Sequence, residues 1–195
     1  MHAYCLEALS EQLRPGARVL DVGSGSGYLS AVMAHLVSDG SEGFDASSDP
    51  PMAPTTPPSS PTTPASPTSL CGHVVGIEHV PQLTTLAQSN VRQDPVGRLQ
   101  IETQVLEFVT GDGRKGWPAR APYDAIHVGA STPLVPRALV AQLKRGGCLI
   151  APVGAAGQGQ RMVIIRRDQR GEISMDEGLT VNYVPLTDLE RQIYG

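Results

Sequence analysis

The sequence RVLDVGSGSG at residues 18–27, followed by YLSAVMAHLV at residues 28–37, decides the fold class of this chain. Arg18–Val22 is a short apolar run that predicts a strand, and residues 28–37 have the apolar spacing of a helix. Between them, Gly23, Gly25 and Gly27 predict a tight turn. Glycine lets the backbone approach a ligand closely, so strand, glycine turn and helix together predict a cradle for a nucleotide or an adenosine.

The spacing of these glycines distinguishes this loop from the dinucleotide-binding loop. It is G-x-G-x-G, whereas the dinucleotide fingerprint is G-x-G-x-x-G, and Asp21 stands two residues before the first glycine. This pattern resembles motif I of class I S-adenosylmethionine-dependent methyltransferases. That ligand carries an ammonium and a sulfonium, so a carboxylate such as Asp21 can complement its charge directly or through water. An ordinary glycine turn between a strand and a helix is the alternative interpretation.

A second acidic residue, Glu78, follows a predicted strand at His73–Ile77 (HVVGI). Open parallel sheets place ligand-binding groups at the carboxyl ends of their strands. A carboxylate at this position can accept hydrogen bonds from both hydroxyls of a ribose. Glu78 lies farther from the glycine turn than the usual separation of about 20 residues. Removing residues 38–70 restores that separation.

Residues 38–70 are therefore interpreted as an insertion into a single methyltransferase domain that spans residues 1–195. The insertion is dominated by proline, serine and threonine, and Phe44 is its one aromatic residue. It cannot bury enough apolar surface to offset its ordering entropy, so we predict a disordered surface loop. A passive spacer is the favoured interpretation, and its Ser-Pro and Thr-Pro pairs permit a hypothesis of regulatory phosphorylation.

Composition narrows the classes of partner. The 195 residues carry a net charge of −4 without a basic patch, so duplex nucleic acid is not expected as a partner. Cys5, Cys71 and Cys148 are widely spaced, which fits reduced thiols in the cytosol and predicts neither a disulfide framework nor a metal site. No segment has the length and hydropathy of a membrane span or a signal peptide. The absence of heptads predicts a monomer.

The remaining patterns alternate between strands and helices. This alternation predicts a Rossmann-like α/β fold, with a mainly parallel sheet, helices on both faces and an antiparallel C-terminal addition. Helices are predicted at residues 6–13, 81–91 and 136–143, and strands at 106–110, 124–128, 149–153, 162–167 and 179–184.

Four further strings make a family resemblance specific. They are MHAY at residues 1–4, GDGR at 111–114, YDAIHVGA at 123–130 and VPLTD at 184–188. With the glycine turn, they resemble the protein-L-isoaspartate (D-aspartate) O-methyltransferase family over nearly all the chain outside the insertion. The resemblance implies methyl transfer from S-adenosyl-L-methionine to the free carboxylate of L-isoaspartyl and D-aspartyl residues. Isoaspartyl-containing proteins and peptides would be the substrates, and repair of damaged proteins the role.

The resemblance also implies a set of cofactor-binding residues. These are His2, Asp21, Gly23, Ser24, Gly25, Gly27, Glu78, His79, Asp112, Gly113, Thr187 and Gln192. Asp112 would accept the adenine amino group, and Glu78 stands where the family commonly has aspartate. Alternatives remain for three residues: Asp112 as a turn residue, Thr187 as a helix cap, and His127 as a packed core residue rather than a catalyst.

Two departures from the family pattern affect the expectation of activity. Family members have, upstream of the position of Met1, a serine followed by proline and histidine in a segment that closes over the cofactor. No catalytic residue is therefore assigned, and neither Ser24 nor Ser131 is nominated instead. Residues 100–107 (QIETQVLE) look like extra residues that lengthen a loop or disturb the start of the third strand.

The implied reaction needs no side chain as a general base, because the substrate carboxylate is already ionised at neutral pH. We therefore expect a repair methyltransferase. The alternative is a truncated, noncatalytic relative that binds S-adenosylmethionine without the N-terminal substrate lid. A methyltransferase for small molecules or nucleic acid is disfavoured by the family strings and the acidic charge.

Overall fold

A computed structural model describes residues 1–38, 72–155 and 159–186. Apart from Ser38, the insertion predicted at residues 38–70 lies outside the described residues, as do Cys71, Thr187 and Gln192. None of the helices in the described ranges is long and apolar enough to cross a membrane.

A seven-stranded sheet forms the centre of the described structure, in the order β3-β2-β1-β4-β5-β6-β7. The strands are β1 (Arg18–Val22), β2 (His73–Glu78), β3 (Leu106–Thr110), β4 (Tyr123–Val128), β5 (Leu143–Val153), β6 (Gln160–Arg167) and β7 (Ile173–Val181). Strands β1 to β5 are parallel, whereas β6 and β7 pair in antiparallel fashion. The predicted fold class, including its antiparallel C-terminal part, is confirmed.

Helices cover both faces of the sheet. They are α1 (His2–Ala8), α2 (Tyr28–Val37), α3 (Pro81–Val91), α4 (Pro95–Glu102) and α5 (Arg137–Ala141), with 3₁₀ turns at Gly113–Lys115 and Pro118–Arg120. Because side chains alternate across a strand, Val19 packs with α1, α2 and α3 on one face, and Leu20 packs with α5 on the other. The parallel strands are buried on both faces, as parallel sheets generally are.

Several element boundaries differ from those that the sequence predicts. The first helix spans His2–Ala8 rather than residues 6–13, and the helix predicted at 136–143 is limited to Arg137–Ala141. Strand β5 starts at Leu143 instead of residue 149. The pairing of β4 with β5 is interrupted between Leu143 and Cys148, so the Lys144–Gly147 stretch, with its turn-like composition, is an irregularity inside the strand.

Two further differences have local explanations. Residues 95–102 form α4, whose N-cap Asp94 accepts a hydrogen bond from the Gly97 N–H at 2.8 Å. Residues 100–102, the start of the stretch expected to lengthen a loop, therefore form the end of α4. Strand β3 begins at Leu106 as predicted. Strand β7 spans Ile173–Val181 rather than 179–184; its side chains are mostly exposed, so it lacks the apolar pattern of a buried strand.

The sheet reverses its order beside β1. From β1 the chain adds β2 and β3 on one side, and it then crosses to β4 on the other. Ligands of open α/β sheets bind at the carboxyl ends of the strands where this reversal occurs. The carboxyl ends of β1 and β4, at Val22 and Val128, therefore mark the expected site.

Gly76→Ala tests the packing under this part of the sheet. A Cβ at Gly76 would lie 2.6 Å from Cδ1 of Phe108 and 3.0 Å from Oγ of Ser30. We expect the free energy of unfolding in urea to fall by roughly 1–3 kcal/mol, because the packed ring must move. Gly159→Ala is the matched control, since its Cβ would lie 3.6 Å from Cγ2 of Thr180 in ordinary contact. Equal stability of the two variants would contradict this view of the core.

Candidate functional site

The glycine loop, residues 23–27, adopts a backbone that requires its glycines. Gly23, Gly25 and Gly27 have φ values of +79°, +52° and +84°. A Cβ at Gly27 would lie 3.0 Å from Cζ of Phe108 and 3.1 Å from Cβ of Ala87. At Gly25 the nearest atom would be the carbonyl oxygen of Gly23, 4.0 Å away. Gly27 therefore serves packing, whereas Gly25 leaves an open face that a ligand can approach.

The loop is tied to the end of β2 by its own N–H groups. Gly23 and Ser24 both donate to the carbonyl oxygen of Ile77, at 2.8 Å and 3.3 Å. Gly25 donates to Oε2 of Glu78 at 3.2 Å. The sequence-predicted acid at the end of β2 is thus brought directly onto the glycine loop.

Glu78 also organises the turn that follows β2. Its Oε1 accepts hydrogen bonds from the backbone N–H groups of His79 and Val80, at 2.8 Å and 3.2 Å. Nε2 of the His79 ring lies 3.9 Å from the same oxygen. Because a carboxylate offers about four lone-pair positions, Oε2 keeps capacity for a ligand hydroxyl beside its bond to Gly25. The carboxylate can hold the loop and accept a hydrogen bond from a ribose at the same time.

Asp21 lies on β1 and faces the interior of the protein. It is buried, with 1% of its surface exposed. Oδ2 accepts a hydrogen bond from the Ser30 hydroxyl, and Oδ1 lies 2.7 Å from Nδ1 of His127. Both oxygens therefore have partners inside the protein. The carboxylate that the sequence predicts as a charge complement for the ligand is therefore engaged by α2, through Ser30, and by β4, through His127.

His127 is a buried partner of Asp21, as expected for a residue with a structural role. Burial lowers the pKa of His127, but hydrogen bonding to Asp21 more than compensates and raises it from 6.5 to about 9. The nearby Cys5 contributes in the same direction. Within the described residues, Nε2 of His127 makes no hydrogen bond, so Asp21 rather than Cys5 accounts for most of the raised value.

The turn after β3 brings Asp112 and Gly113 to the same edge of the sheet. A Cβ at Gly113 would lie 2.5 Å from Cγ1 of Val22, so only glycine permits this approach to the end of β1. Oδ1 of Asp112 accepts hydrogen bonds from the backbone N–H and the Nε of Arg114, and Oδ2 accepts from its Nη2, all within 3.0 Å. These bonds lower the pKa of Asp112 and keep it an ionised acceptor.

The ring of His2 and the hydroxyl of Ser24 are two further polar groups at the glycine loop. The His2 ring stacks on Tyr28, with centroids 5.5 Å apart, which places His2 beside the start of α2. Ser24 is buried, and within the described residues its Oγ has no hydrogen-bond partner. A buried hydroxyl without a partner is unfavourable, so a polar ligand group at the loop would stabilise it. The open face at Gly25 and this hydroxyl fit a ligand such as S-adenosylmethionine.

Residues 183–186, called the strap below, cross the carboxyl end of β4. The Ser131 N–H donates to the carbonyl oxygen of Val184 at 2.8 Å, and the Leu186 N–H donates to the carbonyl oxygen of Ser131 at 2.6 Å. Cδ1 of Leu186 would lie 3.9 Å from a Cβ at Gly113. The strap thus connects the segment after β4 with the Asp112 turn. Thr187 and Gln192, two of the predicted cofactor residues, follow it outside the described residues.

Sequence reasoning missed Tyr28, Arg114 and the contacts of the strap. Tyr28 directly follows the glycine loop in the sequence, and this position is the signal that could have marked it; in the structure it is 60% exposed. Arg114 stands in the quoted GDGR string, but its pairing with Asp112 depends on the 3₁₀ turn at Gly113–Lys115. The strap contacts carry no local sequence signal, because they join residues far apart in the chain.

A cavity of about 530 Å³ between α2, α3 and α4 adjoins this site at Tyr28. Its lining includes Val32, Val91 and Val96, and it meets the glycine loop at Ser26. None of Asp21, Glu78 and Asp112 lines it. We therefore do not assign the cofactor to this cavity.

The pair of Asp21 and His127 predicts a pH dependence of stability. Because the folded-state pKa of His127 is about 9, against 6.5 ordinarily, its contribution is fully present below pH 6.5 and is lost as the pH rises through 9. We expect His127→Asn to remove a stabilisation of roughly 1–3 kcal/mol at pH 6 and much less at pH 10. Urea unfolding of both proteins across this range measures the difference. A difference independent of pH would contradict the assigned pair.

Glu78→Gln tests the predicted ribose acceptor. The amide has one acceptor oxygen and would turn its NH₂ group toward backbone donors, on either Gly25 or His79. We expect affinity for S-adenosyl-L-methionine, measured by titration calorimetry, to fall about 10- to 100-fold. Glu78→Asp, which keeps two acceptor oxygens, should lose less. Glu107→Gln is the control, because Glu107 lies on β3 and pairs with Arg120. Unchanged affinity in Glu78→Gln would remove Glu78 from the cofactor site.

Comparison with known proteins shows the family of this chain. The family model of protein-L-isoaspartate(D-aspartate) O-methyltransferase matches residues 1–46 and 67–191. Protein-L-isoaspartate O-methyltransferase 1 of Arabidopsis thaliana is 38% identical over 195 residues, which cover all of this chain and 70% of the relative. The Triticum aestivum protein-L-isoaspartate O-methyltransferase is 40% identical over 193 residues, 99% of this chain and 69% of the relative.

A solved structure extends the similarity to three dimensions. A crystal structure of a Plasmodium falciparum protein assigned to the same enzyme type, in complex with S-adenosyl-L-homocysteine, superposes with a TM-score of 0.71 at 28% identity. The match covers 96% of this chain and 73% of that one. The matched family model, the two plant relatives and this structural neighbour lead to one conclusion: the chain belongs to the protein-L-isoaspartate(D-aspartate) O-methyltransferase family.

Proposed function

We propose that this protein transfers a methyl group from S-adenosyl-L-methionine to the free carboxylate of L-isoaspartyl and D-aspartyl residues in damaged proteins. The observation that carries the proposal is the convergence of three elements at the carboxyl edge of the sheet. These are the open glycine loop, Glu78 at the end of β2, and the Asp112–Gly113 turn after β3. Membership of the family agrees with it.

The cofactor assignments follow from the contacts of these elements. The backbone of the glycine loop, open at Gly25, receives the amino-acid part of the ligand. The Oγ of Ser24, which has no partner among the described residues, hydrogen-bonds to it. Glu78 accepts a ribose hydroxyl through Oε2, beside its bond to Gly25. Asp112, held in place by Arg114, accepts the adenine amino group. The predicted roles of His2, His79, Thr187 and Gln192 as cofactor contacts belong to the same proposal.

The chemistry requires orientation more than side-chain reactivity. Bound S-adenosyl-L-methionine supplies an electrophilic methyl group. The acceptor carboxylate is ionised at neutral pH, so no residue of this chain has to remove a proton. The protein contributes by aligning the reacting atoms and by excluding the water that solvates the carboxylate. Asp112, with its lowered pKa, is in this proposal a group for adenine specificity and not a base.

Further parts of the proposal rest on composition. The net charge of −4 favours proteins and peptides over nucleic acid as substrates. Widely spaced cysteines agree with a cytosolic location, and both described cysteines, Cys5 and Cys148, are buried and free. Burial raises the pKa of Cys148 to about 11, so it is an inert core residue. A monomer remains the proposed state in solution.

The test is methyl transfer to one peptide made in isoaspartyl and normal aspartyl forms. With labelled S-adenosyl-L-methionine, we expect base-labile label in the isoaspartyl peptide alone. The aspartyl peptide controls for nonspecific carboxyl methylation. If calorimetry shows cofactor binding while neither peptide is labelled, the protein is a noncatalytic binding relative. Methylation of a small molecule or a nucleic acid, but not of the isoaspartyl peptide, would overturn the proposed substrate class.

A further inference from the structure

Gln160 is a buried polar residue for which the cofactor site gives no role. It is the first residue of β6 and is 0% exposed. Its Nε2 donates to the carbonyl oxygen of Tyr183 at 3.0 Å, and its Oε1 accepts from the Tyr183 N–H at 2.6 Å. Strand β7 has already ended at Val181, so Tyr183 no longer takes part in the sheet. The carboxamide therefore replaces the backbone partner that a neighbouring strand would provide.

The same carboxamide reaches a second segment of the site. Nε2 of Gln160 also donates to Oγ of Ser131 at 3.0 Å. Ser131 is 1% exposed, and its Oγ lies 3.3 Å from the carbonyl oxygen of Val184, to which it donates. Both hydrogens of the NH₂ group and the amide oxygen are thus in use. One side chain connects β6, the segment after β4 and the strap.

We propose that Gln160 is a positioning residue for methyl transfer: its carboxamide fixes the strap at the edge of the site where the acceptor polypeptide enters. The proposal rests on the function proposed above. The strap runs from Tyr183 to Leu186, whose side chain lies next to the Asp112–Gly113 turn. Val184, which is hydrogen-bonded to Ser131, and Leu134, three residues after Ser131, are 69% and 79% exposed. They therefore present apolar surface to solvent on the strap side of the cofactor residues.

The chemistry of glutamine is needed for this role. Without the carboxamide, the half-buried N–H of Tyr183 loses its partner, and the Tyr183 carbonyl keeps only the Ser131 hydroxyl at 3.5 Å, which is unfavourable unless the strap moves out to water. The glycine loop has independent anchors on Ile77 and Glu78, so it keeps its position when the strap moves. Loss of Gln160 therefore leaves the cofactor contacts of the glycine loop in place, and it affects the acceptor side together with the proposed cofactor contact of Thr187, which directly follows the strap.

The first test compares Gln160→Leu with the wild-type protein in steady-state kinetics. We expect kcat/KM for an isoaspartyl peptide to fall about 10- to 100-fold, while the dissociation constant for S-adenosyl-L-methionine rises by a clearly smaller factor, because the contacts of the glycine loop and Glu78 remain. Gln100→Leu is the matched control, because Gln100 is also buried and donates to a backbone carbonyl, that of Ala31, but lies on α4. It should lower stability without changing the kinetics. Equal kinetic constants for Gln160→Leu and wild type would overturn the proposal.

Gln160→Glu separates positioning from a general loss of stability. As a neutral acid the side chain donates to the Tyr183 carbonyl and accepts from its N–H, whereas as a carboxylate it has no donor. Burial raises the pKa of such a carboxyl, so relative to wild type we expect its kcat/KM to recover as the pH falls from 8 to 6. Tyr183 does not titrate there, since burial raises its pKa to about 12, and Ser131 is uncharged. A pH profile of Gln160→Glu parallel to that of Gln160→Leu would contradict the role.

Hydrogen exchange provides a readout that does not depend on activity. In Gln160→Leu, the amides of Tyr183 and Leu186 should exchange faster, while those of Gly23 and Gly25 keep their protection. Unchanged protection of the strap would overturn the proposal. If the wild-type protein shows no methyl transfer, the proposed function fails, but the exchange measurement still decides whether Gln160 holds the strap.

Discussion

Parallel pairing of β1 with β2 on one side and β4 on the other is the constraint on which the whole site depends. The register places Asp21 between Gly76 and His127. Paired residues of neighbouring strands point to the same face of a sheet, so the Asp21 carboxylate meets the His127 ring. Gly76 has no side chain, and the Phe108 ring fills that space. The same three strands therefore create the buried ion pair and position the loop that leaves β1.

The elements that build this centre could be predicted from local sequence. Strand β1 and helices α2 and α3 have the predicted bounds, because each has a continuous apolar pattern and begins or ends at glycine or proline. Prediction failed where tertiary contacts override local pattern. Strand β5 continues through the turn-like Lys144–Gly147 stretch because β4 pairs with it on both sides of the irregularity. Strand β7 pairs with β6 while remaining mostly exposed.

In the candidate site, too, some residues could be placed from the sequence and others depend on tertiary contacts. Glu78 and Asp112 could be placed at one edge of the sheet from the sequence, because the carboxyl ends of parallel strands always meet there. The sequence could not show that Asp21 faces inward, since that depends on Ser30 and His127 packing against it. It could not show the role of Gln160 either, because that role depends on contacts with Ser131 and Tyr183, 29 and 23 residues away in the chain.

The two sides of the site are anchored to different extents. On the cofactor side, the glycine loop has backbone bonds to Ile77 and a carboxylate bond to Glu78, and it sits on the buried centre of the sheet. On the strap side, one carboxamide and Ser131 supply the described hydrogen bonds. Segments with few buried contacts open at lower free energy than the core. A polypeptide substrate must enter and leave in each cycle, so the less firmly anchored side is the one that suits it, while the rigid side suits a small cofactor that needs a preformed cradle.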